Sequence, residues 1–271
     1  MARQEIAPSI SEHGAHTAAA TTERIHSMTA LHWPEGKRGA VSLTYDDALP
    51  VHYEHVAPLL EAHGLRATFY TNVLPLGANP EAWRQVASRG HELGNHSIFH
   101  PCRKGPNHGW LDAAYDLKTY TPRRWTDEMR AANIVLNLID GRTERSFGNT
   151  CCNTELGDGD GVHSLDALVD ELFVAGRGPW CDRTVTADAL NLSSLGHFSG
   201  DARTFADMRA EVEAGLALGG WTIYMMHGVG EGTHGLFIDP EEHRQLVEYL
   251  GEQTEIWTAP LADVAAHVRR Q

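Results

Sequence analysis

The chain has 271 residues, 42% of them hydrophobic and 21% charged, with a formal charge of −14 when histidine is neutral. That composition suits one sizeable globular domain, and the acidic balance argues against nucleic acid or polyanionic glycans and favours a neutral or cationic ligand. No run of about 18 apolar residues is present to span a membrane, and the first residues lack the apolar core of a secretion signal, so a cytoplasmic location is expected unless a signal has been removed.

Residues 1–30 are small and polar, without a period, and read as a flexible arm, or as one draped over a neighbouring subunit, before a domain over 31–271. The first strand signal is Ala40-Val41-Ser42-Leu43-Thr44-Tyr45, which ends on Asp46-Asp47. A helical stripe over 51–63 stops at Gly64, and a β-branched and aromatic strand runs over 66–71. Asn79-Pro80 caps a helix to Ser88, and Leu93 to Asn95 closes a third strand that delivers His96. Residues 101–121 form a long polar insertion with Trp110, Tyr115 and Tyr120, placed either to wall a pocket or to pack on itself. Pro122 to Ile139 is an amphipathic helix whose apolar set is Trp125, Met129, Ile134, Leu136 and Leu138. A strand starts at Ser146-Phe147. The Gly/Asp loop from Glu155 to Val162 lacks the ligand spacing of an EF-hand, so calcium is not expected there.

Ser164 caps a helix to Leu172, a strand follows at Phe173 to Ala175, and a helix covers 204–218. Trp221 to Met226 is a strongly apolar strand ending at His227. Asp239-Pro240 opens a helix to 250, a last strand covers 255–257 and a last helix 260–268. About seven strand–helix repeats mean a parallel α/β layout, although periodicity cannot separate an open sheet from a barrel. The four cysteines, Cys102, Cys151, Cys152 and Cys181, form no paired C-x-x-C motif. A structural zinc site is therefore not expected, and all four read as buried or free thiols in a reducing compartment.

Two stretches carry chemistry. Adjacent carboxylates at a strand end repel each other unless offset, so Asp46-Asp47 is either a helix-capping pair or a cation site with one ligand and one free base. His96 and His100 are four apart, which on a helical turn places both imidazoles on one face, as surface decoration or as ligands. With Asp47 they would make two His and one carboxylate around one ion, leaving positions open to water and substrate.

These stretches resemble motifs of the polysaccharide deacetylase family. Its Thr-Phe-Asp-Asp is similar to Thr44-Tyr45-Asp46-Asp47, its His-(Ser/Thr)-x-x-His to His96-Ser97-Ile98-Phe99-His100, and its apolar strand into Leu-x-His to Tyr224-Met225-Met226-His227. The likeness runs from about residue 33 to 267. It implies a distorted (β/α) barrel of seven or eight parallel strands with the site at their C-terminal ends. It also implies Asp46 as catalytic base, Asp47, His96 and His100 as metal ligands, and His227 as general acid. One divalent ion is expected, Zn2+ before Co2+, Ni2+ or Mn2+.

The middle motifs depart from the family's pattern. Its arginine is matched either by Arg145 in Arg145-Ser146-Phe147-Gly148 or by Arg177, if Phe147 to Cys152 stands for the variant that lacks the arginine. The second alignment is preferred, which places Arg177 at the substrate site. Asp201-Ala202-Arg203-Thr204-Phe205 weakly echoes the motif whose Asp orients the acid His. The implied function is metal-dependent removal of N- or O-linked acetyl groups from a carbohydrate. The alternatives are hydrolysis of a cyclic imide or other small amide or ester, and non-catalytic carbohydrate binding.

Overall fold

The computed structural model describes residues 30–106 and 108–271, so the expected arm, except Ala30, lies outside the described residues. Alternation in the first strand sets the architecture. In β1 (Gly39–Asp46), Leu43 and Tyr45 face the helix layer and join a core with Phe69, Trp83 and Leu93, while Ser42, Thr44 and Asp46 fall on the opposite face. The same order holds in β2 (Thr68–Thr71) and β3 (Glu92–Asn95), where Phe69 and Leu93 face the helices and Thr68, Tyr70 and Glu92 face inward. β4 (Phe147–Gly148), β5 (Gly176–Trp180), β6 (Leu195–Ser199) and β7 (Trp221–Met226) continue the parallel order. β7 pairs back onto β1 from Ala40 to Tyr45, which closes a seven-stranded barrel. β8 (Ile256–Thr258) lies beside the first residues of β1, outside the ring.

The connecting helices are α1 (Ala57–Ala62), α2 (Pro80–Ser88), α3 (Pro122–Asp140), α4 (Asp166–Leu172), α5 (Phe205–Ala217), α6 (Pro240–Glu252) and α7 (Leu261–Val268). Trp125 and Met129 of α3 and Val169 of α4 pack on Phe147, and Leu261, Val264 and Val268 of α7 pack with Ala40, Trp221 and Ile223. Burying each such side chain contributes about 1.5–3 kcal/mol.

The barrel interior is polar and layered. Glu92 accepts hydrogen bonds from Thr68 Oγ1 (2.7 Å), Ser146 N (2.7 Å), Ser146 Oγ (2.8 Å) and Ala262 N (3.0 Å), so this buried carboxylate is satisfied and also caps α7. Above it the Tyr70 ring needs space on both sides. A Cβ at Gly94 would meet it at 2.5 Å and one at Gly148 at 2.7 Å, so both positions require glycine. The Arg177 guanidinium lies 4.8 Å from the centre of that ring.

Several expectations change. The stripe over 51–63 is helical through Ala62 but not uniformly α: His52–Val56 winds as a π-turn leading into α1, with His52 buried. The strand expected at 173–175 runs instead from Gly176 to Trp180, and β6 was not expected at all. Both are rich in small residues because neighbouring chains approach closely; a Cβ at Gly178 would meet Ser194 Oγ at 2.4 Å. Ile134 and Leu138 are exposed rather than in the core, and the residue before α4 is Leu165, with Ser164 accepting from Asp166 N. Cys102 and Cys151 form a disulfide, which corrects the reading of four thiols; Cys152 and Cys181 are free.

Candidate active site

Neighbours in a strand point to opposite faces, so Asp46 and Asp47 share a pocket only if the chain breaks its alternation between them. It does so at Asp47, whose φ is 77°, followed by Ala48 at 51°. Such conformations cost about 1–2 kcal/mol per non-glycine residue. Ser97, His100, Cys151, Cys152, Asp182 and Ala202 also have positive φ, and all are in loops that leave the C-terminal ends of the strands. Strain gathered at one mouth of a barrel marks that mouth as the working face.

Asp46 is 2% exposed and bound in a fork by Arg177, with Nη1 donating to Oδ1 at 2.8 Å and Nη2 to Oδ2 at 2.5 Å. Nη1 also donates to Thr44 Oγ1 at 2.7 Å, and Thr44 donates to the Tyr224 carbonyl. Burial pushes the Asp46 carboxyl up, but the Arg177 charge, with His96, Arg177's hydrogen bonds and His227, outweighs it and holds the group well below the usual carboxylate range. Arg177 is fully buried, and Asp46 raises its pKa further against the opposing effect of burial.

The carboxylate of Asp47 faces elsewhere. Its Oδ1 lies 3.7 Å from His96 Nε2 and 3.5 Å from His100 Nε2. The chosen donor atoms of Asp47, His96 and His100 all lie within 4.8 Å of one another. His96 Nδ1 donates to the Gly148 carbonyl at 2.7 Å, which leaves the Nε2 lone pair facing the pocket, 3.7 Å from both Asp47 Oδ1 and Asp46 Oδ2. His100 Nδ1 faces the disulfide sulfur of Cys102 at 3.5 Å, and burial followed by the His96 charge lowers its pKa to about 4, so it is the neutral imidazole a metal requires. This set fits a divalent ion. His96 directly follows β3 and His100 lies in an irregular loop with φ 53°, so the two converge without the helical turn their spacing implied. His100, Cys102 and Cys151 also cluster within ligand distance, but the two sulfurs are bonded to each other and offer no thiolate.

His227 stands across the pocket, with Nε2 4.0 Å from Asp46 Oδ2. Asp201 grips it twice, accepting from the backbone N at 3.0 Å and pairing with Nδ1 at 2.7 Å. Burial lowers the pKa of His227, but Asp201's hydrogen bond and then the charges of Asp46, Asp201 and Asp47 prevail and raise it. His52, kept neutral by burial with its pKa lowered to about 4, donates from Nε2 to the His227 carbonyl at 2.8 Å.

The structure thus brings Asp46, Asp47, His96, His100, Arg177 and His227 into one site, and it sets Asp201, weakly indicated by the sequence, against His227. Arg145 is elsewhere, bound to Asp140, the Leu93 carbonyl and the Arg142 carbonyl. Sequence reasoning missed His234, which stacks on His227 at 5.0 Å with Nε2 3.7 Å from Asp47 Oδ2. It also missed His52, whose only signal was a polar residue at the head of an apolar stripe. The cavity over the site measures about 630 Å3, and the 101–121 insertion supplies His108 and Trp110 to its wall.

Residues 34–149, which include both Asp46-Asp47 and His96–His100, match the family model for polysaccharide deacetylase. Over that segment the chain is similar to the polysaccharide deacetylases. It is 29% identical over 143 residues to a chitin deacetylase of Colletotrichum lindemuthianum, a match covering 49% of this chain and 52% of the relative. The chain thus spans about half the length of that curated relative. A Mycobacterium smegmatis protein assigned to the polysaccharide deacetylases shares its fold, with a TM-score of 0.63 at 17% identity over 89% of this chain and 94% of that one. So does an acetyl xylan esterase of Clostridium thermocellum solved with a cobalt ion, with a TM-score of 0.51 at 17% identity over 84% and 90%.

Proposed function

We propose that this chain is a polysaccharide deacetylase, a metal-dependent enzyme that hydrolyses acetyl groups from a carbohydrate. The observation that carries the reading is the division of labour at the β1 end: Asp46 is locked to Arg177 while adjacent Asp47 turns to His96 and His100. A divalent ion held by Asp47, His96 and His100, with Zn2+ well suited to that donor set, supplies Lewis acidity toward water and the acetyl carbonyl.

The chain's own residues do the rest. Arg177 fixes the charge and orientation of Asp46, which receives the proton lost by the attacking water. A base held so far below neutrality keeps a proton only briefly, and once His227 has given its own proton to the leaving atom, its Nε2, 4.0 Å from Asp46 Oδ2, can take that proton and restore both groups. Asp201 holds His227 in its cationic form and aims Nε2 at the leaving atom. A leaving amine needs that proton more than a leaving alkoxide, so a held acid brings N-acetyl as well as O-acetyl substrates within reach. A carbohydrate-binding protein without turnover would not need the Asp46–Arg177 and Asp201–His227 pairs.

The test is acetate release by the protein loaded with Zn2+ or Co2+, across acetylated sugars, oligomers and cyclic imides. Release from acetylated sugars, abolished by chelation, supports the reading. Turnover of cyclic imides alone would overturn it.

A further inference from the structure

A second cavity, of about 640 Å3, adjoins the catalytic one and shares Met225 and Leu236 with it. It lies over the C-terminal ends of β5, β6 and β7, on the side where Asp201 holds His227. Trp180, the last residue of β5, projects into it 59% exposed. An exposed indole is ordinarily free to rotate, but this one is pinned. Its Nε1 donates to Asp182 Oδ1 at 2.8 Å, and the same oxygen accepts from Arg203 Nη2 at 2.8 Å. Arg203 is tied in turn to Glu211 at 3.2 Å and to the Ser199 carbonyl at 3.3 Å. The ring is thus held before any ligand arrives, which lowers the entropy cost of binding to it.

The charged groups around the cavity are already engaged. Asp201 serves His227, Asp239 caps α6 through Glu241 N, and Glu242 accepts from Phe205 N. What remains for a ligand is the face of the indole and the half-exposed Leu236 on the same cavity's lining, which suit a flat apolar face. Three carboxylates against one guanidinium on the lining also repel a negatively charged ligand.

We infer that Trp180 is the platform of a second sugar subsite, on the leaving-group side of the catalytic centre, for an uncharged or amine-bearing pyranose. The inference deepens the deacetylase reading and rests on it: the substrate is an oligosaccharide at least two units long, without a carboxylate on the unit that stacks on Trp180.

The experiment has two arms. The first compares kcat/KM of the metal-loaded protein for N-acetylhexosamine monomer and tetramer. In Trp180→Ala the tetramer-to-monomer ratio should fall about fivefold or more, and Trp180→Phe should recover most of it, since a stacked aromatic contact is worth roughly that factor. The second titrates metal-stripped protein with the tetramer by calorimetry, where Trp180→Ala should weaken binding by a similar factor and a uronic-acid tetramer should bind the unaltered protein less tightly. Leu236→Ser, in the lining of the same cavity, should give the same pattern, so the test survives a poorly folded Trp180→Ala. If no substrate releases acetate, the deacetylase reading fails while the titration still decides on the subsite. Tetramer affinity and length preference unchanged in Trp180→Ala and Leu236→Ser would overturn the inference.

Discussion

Arg177→Met is the sharpest perturbation the site offers. Methionine keeps much of the apolar stem and deletes the guanidinium, with its two hydrogen bonds to Asp46 and one to Thr44. Asp46 is then a buried carboxylate facing a low-dielectric wall, and breaking a buried pair in this way costs about 3–5 kcal/mol. At roughly 2–4 °C per kcal/mol for a chain of this size, the melting temperature should fall by about 6–20 °C. The pH dependence carries a sign. In the unaltered protein the depressed pKa of Asp46 contributes stability above the unfolded carboxylate value of about 3.9, lost as the pH falls through the folded value. Without Arg177, burial dominates and the folded pKa rises. The deficit should then be smallest in mild acid, where Asp46 is protonated, and grow as the pH rises through that raised value. Urea melts at about pH 5 and pH 8 read both effects, and the double variant Asp46→Asn, Arg177→Met should recover part of the loss. A deficit under about 1 kcal/mol, equal at both pH values, would refute the argument that this pair is a buried, charge-coupled unit.

Asp46→Asn keeps the shape but removes the proton acceptor, so metal affinity measured by equilibrium dialysis should survive while turnover falls by about 100-fold or more. The double variant His96→Ala, His100→Ala should lose the ion and keep a folded circular-dichroism spectrum; full metal occupancy would contradict the ligand set. His227→Ala should harm amide substrates more than esters and flatten the basic limb of the rate profile, a limb expected above the ordinary histidine value because Asp201 and Asp46 raise the pKa of His227. Equal losses on both substrate types with an unchanged limb would return His227 to a packing role.

The fold was legible wherever a strand had one apolar face. β1, β2 and β7 alternate or run apolar because one side meets the helices, and their positions follow from the residues alone. β5 and β6 were displaced or missed for a physical reason. Gly176, Gly178 and Gly196 admit close neighbours, and a Cβ at Gly196 would meet Cys181 Sγ at 2.3 Å, so pairing there selects small residues over β-formers. Ile134 and Leu138 misled in the opposite way: they look like core and lie on the outer face of α3. The disulfide could not be read at all, because Cys102 and Cys151 are 49 positions apart and meet only through the barrel.

At the site, chemistry carried by neighbours in sequence was visible and chemistry carried by neighbours in space was not. Asp46-Asp47 and His96–His100 announce themselves by spacing. The partner of Asp46 was ambiguous between two arginines because nothing local to Arg145 or Arg177 says which one points up the barrel. The answer lies in strand parity. Arg177 falls inward on β5 beneath the mouth, over the Tyr70 ring that Gly94 and Gly148 make room for, whereas Arg145 precedes β4 at its entry and is used up by Asp140 and two carbonyls. Parity also explains why the two aspartates can divide their work. A regular strand would have sent Asp47 to the helix layer, and its left-handed turn brings it back beside Asp46 but rotated toward the histidines. Two adjacent carboxylates then share one cavity with their charges directed at different partners, one at a buried guanidinium and one at a pair of imidazoles.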